Sequence, residues 1–382
     1  MLYQVLNSFS GKPGNIGVRT DFILKNLTDN SQAAICFCRG FVNKYELVDY
    51  KTMSIFGHIP RIMNAASIYL IPGGYNHRLY DIAFFQWFVM TSLKKMAIEN
   101  GGIAHLWEYC PKLIFYLKER GVRVVLDVPI APLSYNRRLK NEEICDFLLV
   151  SDRLEEIEYT SFKMADYIVA PSIFVRDELI LGGVEKDKIN VIEFGAKVNS
   201  KELKENAKFL KKDLNFCFVG NVSKRKGVLE LLSAWSNPVF KSDRLHLCGR
   251  VYPEVKSNIA NTKSGEVLMP GFIDPYEYLL QCDVFVLPSW LEGSAKAVYE
   301  AMTMGLPSIV TKSSGSIIRN GIDGFVVDAG DVNALQDRMV WMKNHPRDAM
   351  RMGESAKRRA KDFTWERYAN RVTSLYRQIE DT

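Results

Sequence analysis

The stretch PSWLEGSAKAVYEAMTMGLPSIV, residues 288–310, reads as a loop, a helix and a buried strand, and it follows the apolar run DVFVL at 283–287. Strand, tight loop, helix and second strand in succession make the repeating unit of a parallel sheet. Ser294 is a candidate N-cap, the helix is expected over 295–304, and Gly305 with Pro307 supplies a stop. Ala295 and Ala297 are small enough for a ligand to approach the free N–H groups of the first turn. Those groups and the helix dipole attract an anion, and Lys296 adds a full positive charge. Glu292 lies in the loop, and Glu300 lies inside the helix, roughly 7–9 Å from its start at a rise of 1.5 Å per residue. That is about the reach from a phosphate to its ribose. One element could thus hold a sugar hydroxyl at Glu292, phosphates at 294–297 and ribose hydroxyls at Glu300. Either glutamate alone would read as an ordinary surface acid; the constellation points to a nucleotide diphosphate.

The pattern extends in both directions. LYQVLN, AICFC, SIYLIP, VRVVLD, YIVAP and INVIE in the first half, and FCFVG, LHLCG, DVFVLP, SIVT and GFVV in the second, are short apolar runs separated by helical patterns. Continuously apolar strands are covered on both faces, so parallel sheets with helical crossovers are expected. The polar, lysine-rich segment 197–213 marks a seam. The fold class is therefore α/β: two doubly wound, Rossmann-like domains, 1–196 and 197–363, facing across a cleft, as a length of 382 residues allows. The tail repeats Trp365, Tyr368, Val372, Leu375 and Ile379 at spacings of three and four, an amphipathic helix.

The composition, 47% hydrophobic and 25% charged with a net charge of +6, suits anionic small molecules or an anionic membrane face better than nucleic acid. Seven scattered cysteines, with Cys36 and Cys38 lacking a second pair, read as reduced buried thiols in a cytoplasmic protein. The N-terminus carries no signal-peptide pattern. IAFFQWFVMTSLKKM (82–96) is too short to span a bilayer and reads either as a half-buried helix or as one lying at a membrane interface.

Two further loops carry chemistry. FCFVGNVSKRKGVLELL ends a buried strand at Gly220 and then presents Lys224, Arg225 and Lys226 before Gly227 and a new helix. A cationic loop after a parallel strand suits a phosphate, or equally a solvated basic turn. NSFSGKPGNIGVRTDF places Gly11, Gly14 and Gly17 between strand and helix. The spacing departs from a dinucleotide fingerprint, and Arg39 stands where an acid would end the second strand, which argues against a nicotinamide oxidoreductase. Glycine here lets backbone approach a ligand from across the cleft.

Together these motifs resemble the retaining, nucleotide-sugar-dependent glycosyltransferases of GT-B fold, the glycosyl transferases group 1 superfamily (family four). EGSAKAVYEAMTMGLPSIV matches the E-x7-E element. ADYIVAPSIFVRDEL, GVEKDKINVIEFGA, DVFVLPSWLEG, NGIDGFVV and DFTW fit the family's later strands, loops and last helix. The resemblance implies that Glu300 binds the ribose, Glu292 contacts the donor sugar and Lys226 binds the diphosphate. It implies that Gly293, Ser294, Ala295, Lys296 and Ala297 cap the phosphates and that Gly17 closes from the first domain. It places base-reading groups near Arg250 and Phe272, and has the final helix, 364–382, cross back onto the first domain.

Three positions depart from the family pattern. Asn221 stands where an arginine is usual, with Arg225 on the same loop as a substitute. VVLDVPIAPLSY has no histidine, leaving Asp127 as the nearest polar candidate for a catalytic role or as a buried hydrogen-bonded acid, while His105 reads as structural. FGAKVN lacks the usual aspartate. The implied activity is a metal-independent hexosyltransferase reaction. It moves a sugar from a nucleotide-diphosphate sugar to a hydroxyl of a glycan or lipid-linked acceptor, in bacterial surface polysaccharide or lipopolysaccharide synthesis. No D-x-D occurs for a bridging metal. The sugar nucleotide is a substrate, no cofactor is implied, and the partners are donor, acceptor and an anionic membrane surface at the inner face of the cell membrane. A nucleotide-sugar epimerase of the same shape and a non-catalytic binding subunit are the alternatives.

Overall fold

The computed structural model describes residues 1–11, 15–53, 77–141, 148, 151–197, 213–262, 264–271 and 274–382. Among the described residues the first sheet has seven parallel strands. Their order is β5-β3-β1-β6-β7-β8-β9, formed by β1 (Leu2–Val5), β3 (Ala34–Cys38), β5 (Val48–Thr52), β6 (Ile103–Leu106), β7 (Arg123–Asp127), β8 (Tyr167–Ala170) and β9 (Ile189–Val191). Two short strands, β2 (Phe9–Ser10) and β4 (Gly40–Phe41), pair separately. Among the described residues the second sheet has six parallel strands in the order β12-β11-β10-β13-β14-β15. They are β10 (Asn215–Val219), β11 (Arg244–Cys248), β12 (Glu266–Gly271), β13 (Val284–Leu287), β14 (Ser308–Thr311) and β15 (Gly324–Val327). Every residue of β3, β13 and β14 is buried, and β3 and β13 are accordingly apolar throughout.

In both sheets the first strand of the domain lies inside. β1 is flanked by β3 and β6, and β10 by β11 and β13. The strand order reverses at those points, and a crevice opens beyond the carboxyl ends of the flanking strands. The basic loop leaves β10 and the Glu292 loop leaves β13, so both rise from the two strands that bound the second crevice.

Of the described strands in the two main sheets, three are not among the apolar runs of the sequence: β5, the edge strand β12 and the central strand β6, which carries His105. The SIYLIP run lies outside the described residues. The 283–310 stretch folds as expected except at the helix start. The helix runs Lys296–Thr303 with Ala295 as its cap residue, and Ser294 is not the side-chain cap; its hydroxyl pairs with Tyr299 Oη at 2.6 Å instead.

The tail forms the Trp365–Glu380 helix, capped by Thr364, whose side chain accepts from Arg367 N. It packs along the Asn15–Asp29 helix of the first domain. Phe22 and Trp365 stack with centroids 6.0 Å apart, and Thr373 Oγ1 donates to Asn26 Oδ1 at 2.9 Å. The two chain passages between the sheets run side by side, Ala196 N donating to Phe363 O at 3.1 Å. IAFFQWFVM lies within the His77–Leu93 helix, and among the described residues no helix is long and apolar enough to cross a membrane. Six cysteines, 36, 38, 110, 217, 248 and 282, are buried and unpaired with one another; Cys145 lies outside the described residues.

Candidate functional site at the second crevice

After β10 the chain turns through one 3-10 turn, Lys224–Lys226, into the Val228–Trp235 helix, with Gly227 between them at φ 71°. Only glycine fits: a Cβ there would sit 1.9 Å from Pro288 O. The close approach zips the basic loop onto the loop after β13. Trp290 N donates to Arg225 O at 3.0 Å and Ser289 Oγ to the same oxygen at 3.2 Å.

That contact brings Lys226 and Arg225 onto Glu292. Lys226 Nζ lies 2.5 Å and Arg225 Nη1 2.9 Å from Glu292 Oε1, and Ser289 Oγ donates to it at 3.1 Å. Burial works against the charge on Glu292, but the two cations and Ser289 outweigh it and hold its carboxyl below the usual range. Arg225 Nη1 also donates to Leu291 O at 2.5 Å, so this guanidinium braces the loop as well as neutralising it. Ser289 gave no signal in sequence beyond standing one loop-width before Glu292.

The helix start supplies a second cationic end. Ala295 N is already used, donating to Ser314 O at 3.0 Å, and Glu292 N donates to Ser313 O at 2.9 Å. The N–H groups of Gly293, Ser294, Lys296 and Ala297 have no acceptor among the described residues. Ala295 therefore cannot offer the donor expected of it unless Ser314 lets go. Glu300 is buried inside the helix. Burial pushes its carboxyl up, and Lys296 Nζ, 2.8 Å away, pulls only part of the way back. Lys296 is off the hydrogen-bonding direction, so Oε1 of Glu300 is a buried acceptor without an aligned donor. A hydroxyl from a ligand would satisfy it.

Gly293 serves the domain interface. A Cβ at this position would lie 1.8 Å from Pro129 O, in the loop after β7, and Ser172 Oγ of the first domain donates to Gly293 O at 2.6 Å. Tyr135 Oη donates to Trp290 O at 3.0 Å from the same side. These first-domain contacts, spaced far apart in sequence, had no local signature.

The remaining candidates fall into three groups. Arg250 is exposed beside the basic loop, its carbonyl accepting from Val222 N at 2.9 Å. Gly17 opens the Asn15–Asp29 helix, buried, its carbonyl accepting from Gly11 N at 2.9 Å; Gly14 and Phe272 lie outside the described residues. Asp127 does not reach the crevice. Its side chain has no exposed surface, and Arg19 Nη1 bridges both its oxygens at 3.0 Å. Arg19 is itself sandwiched between Trp107 and Phe194. Of the two expectations for Asp127, the geometry is that of a buried, hydrogen-bonded acid. His105 is buried beside it, Nε2 at 3.7 Å from Asp127 and Nδ1 at 2.5 Å from Tyr376 Oη.

Comparison with known proteins bears on the fold and on the second domain. Residues 213–345 match the family model described as glycosyl transferases group 1. The capsular polysaccharide biosynthesis glycosyltransferase CapM of Staphylococcus aureus is 24% identical over 238 residues, 56% of this chain and 63% of that protein. Sucrose-phosphate synthase from Thermosynechococcus elongatus superposes with a TM-score of 0.75 at 16% identity, over 99% of this chain and 98% of its own. Anabaena HepE, solved in complex with UDP and glucose, superposes at 0.67 and 15% identity, over 99% and 100%. The chain thus spans less than two thirds of CapM's length. The fold is the GT-B fold of glycosyltransferases. Within the second domain, residues 213–345 are similar to the glycosyl transferases group 1.

Proposed function

We propose that the protein is a retaining glycosyltransferase of hexosyltransferase type. It moves a sugar from a nucleotide-diphosphate sugar to a hydroxyl of a glycan or lipid-linked acceptor, in surface polysaccharide or lipopolysaccharide synthesis at the inner face of the cell membrane. The observation that carries this is the Lys226–Glu292–Arg225 cluster beside the free N–H groups before Glu300, at the switch point of a GT-B second domain. The diphosphate would take Lys226 and the N–H groups of Gly293, Ser294, Lys296 and Ala297, the ribose hydroxyls Glu300, and a sugar hydroxyl Glu292. Arg250 lies on the base side. As the bond from sugar carbon to diphosphate oxygen breaks, charge grows on the leaving group, where Lys226 and the helix start await it; removing one such donor costs about 10²–10³ in rate. The acceptor oxygen attacks from the face the diphosphate leaves, which takes the acceptor's proton. Without ligand, Glu292 neutralises both cations, so donor binding exchanges a carboxylate for a diphosphate at Lys226. HepE with UDP-glucose and the GT-B likeness support a sugar nucleotide as donor.

A second reading, a binding subunit without turnover, is favoured by Asp127 being locked to Arg19 and by Asn221 in place of a cation. One experiment separates them: sugar release and transfer from a panel of sugar nucleotides, wild type against Lys226→Ala and Glu292→Ala. Turnover that drops at least about a hundredfold in both variants supports catalysis. Stabilisation by a nucleotide, about 2.7 kcal/mol at one hundred times Kd, without any turnover supports the binding subunit. Neither effect would refute both.

A further inference from the structure

The loop that carries Glu292 also borders a second opening between the domains. A cavity of about 690 Å³ lies between the Ile173–Leu181 helix of the first domain and the segment 311–319 that follows β14 in the second. That volume is in the range of small-molecule sites. Trp290 stands in its wall, whereas Lys226, Glu292, Lys296 and Glu300 do not, so the cavity is separate from the donor crevice. Its wall nevertheless holds the loop in place. Thr311 Oγ1 and Ser313 Oγ each donate to Ser289 O at 2.6 Å, and Gly315 approaches so closely that a Cβ there would sit 2.0 Å from Gly293 O.

The apolar part of the wall is aromatic. Tyr135 and Phe174 meet edge to face with centroids 5.3 Å apart, and Trp290 and Ile317 continue the surface. The charged part is already paired. On the second domain Lys312 lies 2.8 Å from Asp328 and Arg319 2.8 Å from Asp323, while Arg359 Nε donates to Ile317 O at 2.8 Å and lies 3.8 Å from Asp323. On the first domain Asp177 is held by Arg176 at 2.7 Å, Glu178 by Arg138 at 2.7 Å and Glu193 by Arg371 at 3.0 Å.

This combination selects among ligands. An anion would have to break an existing pair to find a cation. A hydrocarbon chain would strip water from the paired charges and offer no hydrogen bond in return. Hydroxyl groups do neither, because a paired carboxylate keeps lone pairs that accept and a paired guanidinium keeps N–H groups that donate. The aromatic faces, with their negative quadrupole, take C–H hydrogens. A ring with hydroxyls at its edge and C–H groups on its face meets both demands, and a saccharide is such a ring.

We propose that this interdomain cavity binds a neutral oligosaccharide, at a site apart from the donor crevice. A saccharide there touches both domains at once and bears on the loop that carries Glu292. The inference goes beyond the proposed transfer reaction. No donor-site residue takes part and its test needs no turnover, so the two can fail separately.

The test is calorimetric titration of the full chain with three neutral trisaccharides, maltotriose, cellotriose and triacetylchitotriose, at low and high salt and with inorganic pyrophosphate as competitor. At least one trisaccharide should bind in the millimolar range or tighter, equally at both salts because the ligand carries no charge to screen. Pyrophosphate should leave that binding in place. Ala329→Trp sets an indole into the cavity and should abolish it. Phe174→Ala should weaken it at least about tenfold, the scale of one lost aromatic contact. Lys226→Ala should bind the saccharide as wild type does. Thermal melts reveal a cavity variant that fails to fold, and the other then decides. The proposal is overturned if no trisaccharide binds, if the folded cavity variants bind as wild type does, if Lys226→Ala removes binding, or if pyrophosphate displaces the sugar.

Discussion

Glu158 shows how far burial can retune one side chain. It sits on the Asp152–Met164 helix, 4% exposed, with Oε2 accepting from Leu133 N at 2.7 Å. Desolvation pushes its carboxyl up to about 7, past the relief its hydrogen bonds supply. In the unfolded chain the group ionises near 4.5, so between that value and about 7 the folded state holds the extra proton. Stability contributed by this site is present at acid pH and is lost as pH rises through 7. Glu158→Gln keeps an oxygen for Leu133 N and removes the ionisation. The variant should gain on wild type between pH 5 and 8 by on the order of 2 kcal/mol, read by urea unfolding at the two pH values. An unchanged difference would mean that the carboxylate is already charged in the fold. Asp127 teaches the complementary lesson. The sequence left it open between a catalytic role and a buried acid because its partner, Arg19, is 108 positions away, and nothing local to VVLDVP announces a buried guanidinium. Glu292 and Glu300 were legible because loop, helix start and both acids lie within one β-α unit, where covalent spacing alone sets the geometry.

Elements divide along the same line. Strands buried on both faces, such as β3 and β13, were plain as unbroken apolar runs. The central strand β6 hid because His105 interrupts only four residues, and the edge strands β5 and β12 because they expose part of their length. What accommodates a histidine in a central strand is another element. Tyr376 on the Trp365–Glu380 helix puts its hydroxyl between Gln4 Nε2, 2.8 Å away, and His105 Nδ1. Burial lowers the pKa of His105, so its neutral ring accepts the tyrosine proton at Nδ1 and turns its Nε2–H toward Asp127. Tyr376→Phe strips a partner from two fully buried groups at once and should cost about 1–3 kcal/mol in chemical unfolding. A loss well under that range would show that the hydroxyl is dispensable to the strand.

At the scale of the whole molecule, the domains meet through backbone. Gly293 presses on Pro129 O, Ser172 ties Gly293 O, and Tyr135 ties Trp290 O, so the loop carrying Glu292 can reach this position only because residue 293 lacks a side chain. Gly293→Ala should leave both domains folded, weaken the nucleotide-induced thermal shift and cut turnover about a hundredfold, the scale on which a misplacement of about 1 Å acts. Equal turnover in variant and wild type would show that the reaction does not use this approach.

The Trp365–Glu380 helix settles a matter of timing. Tyr376 and Tyr368 complete polar groups of the first domain, among them Gln4 on β1, Arg19 on the Asn15–Asp29 helix and His105 on β6. Gln4 and Arg19 leave the ribosome long before Tyr368 and Tyr376 do. The first domain therefore waits, incompletely knit, while the second emerges and is free to fold ahead of it, and deleting the Trp365–Glu380 helix would spoil a part of the protein translated much earlier.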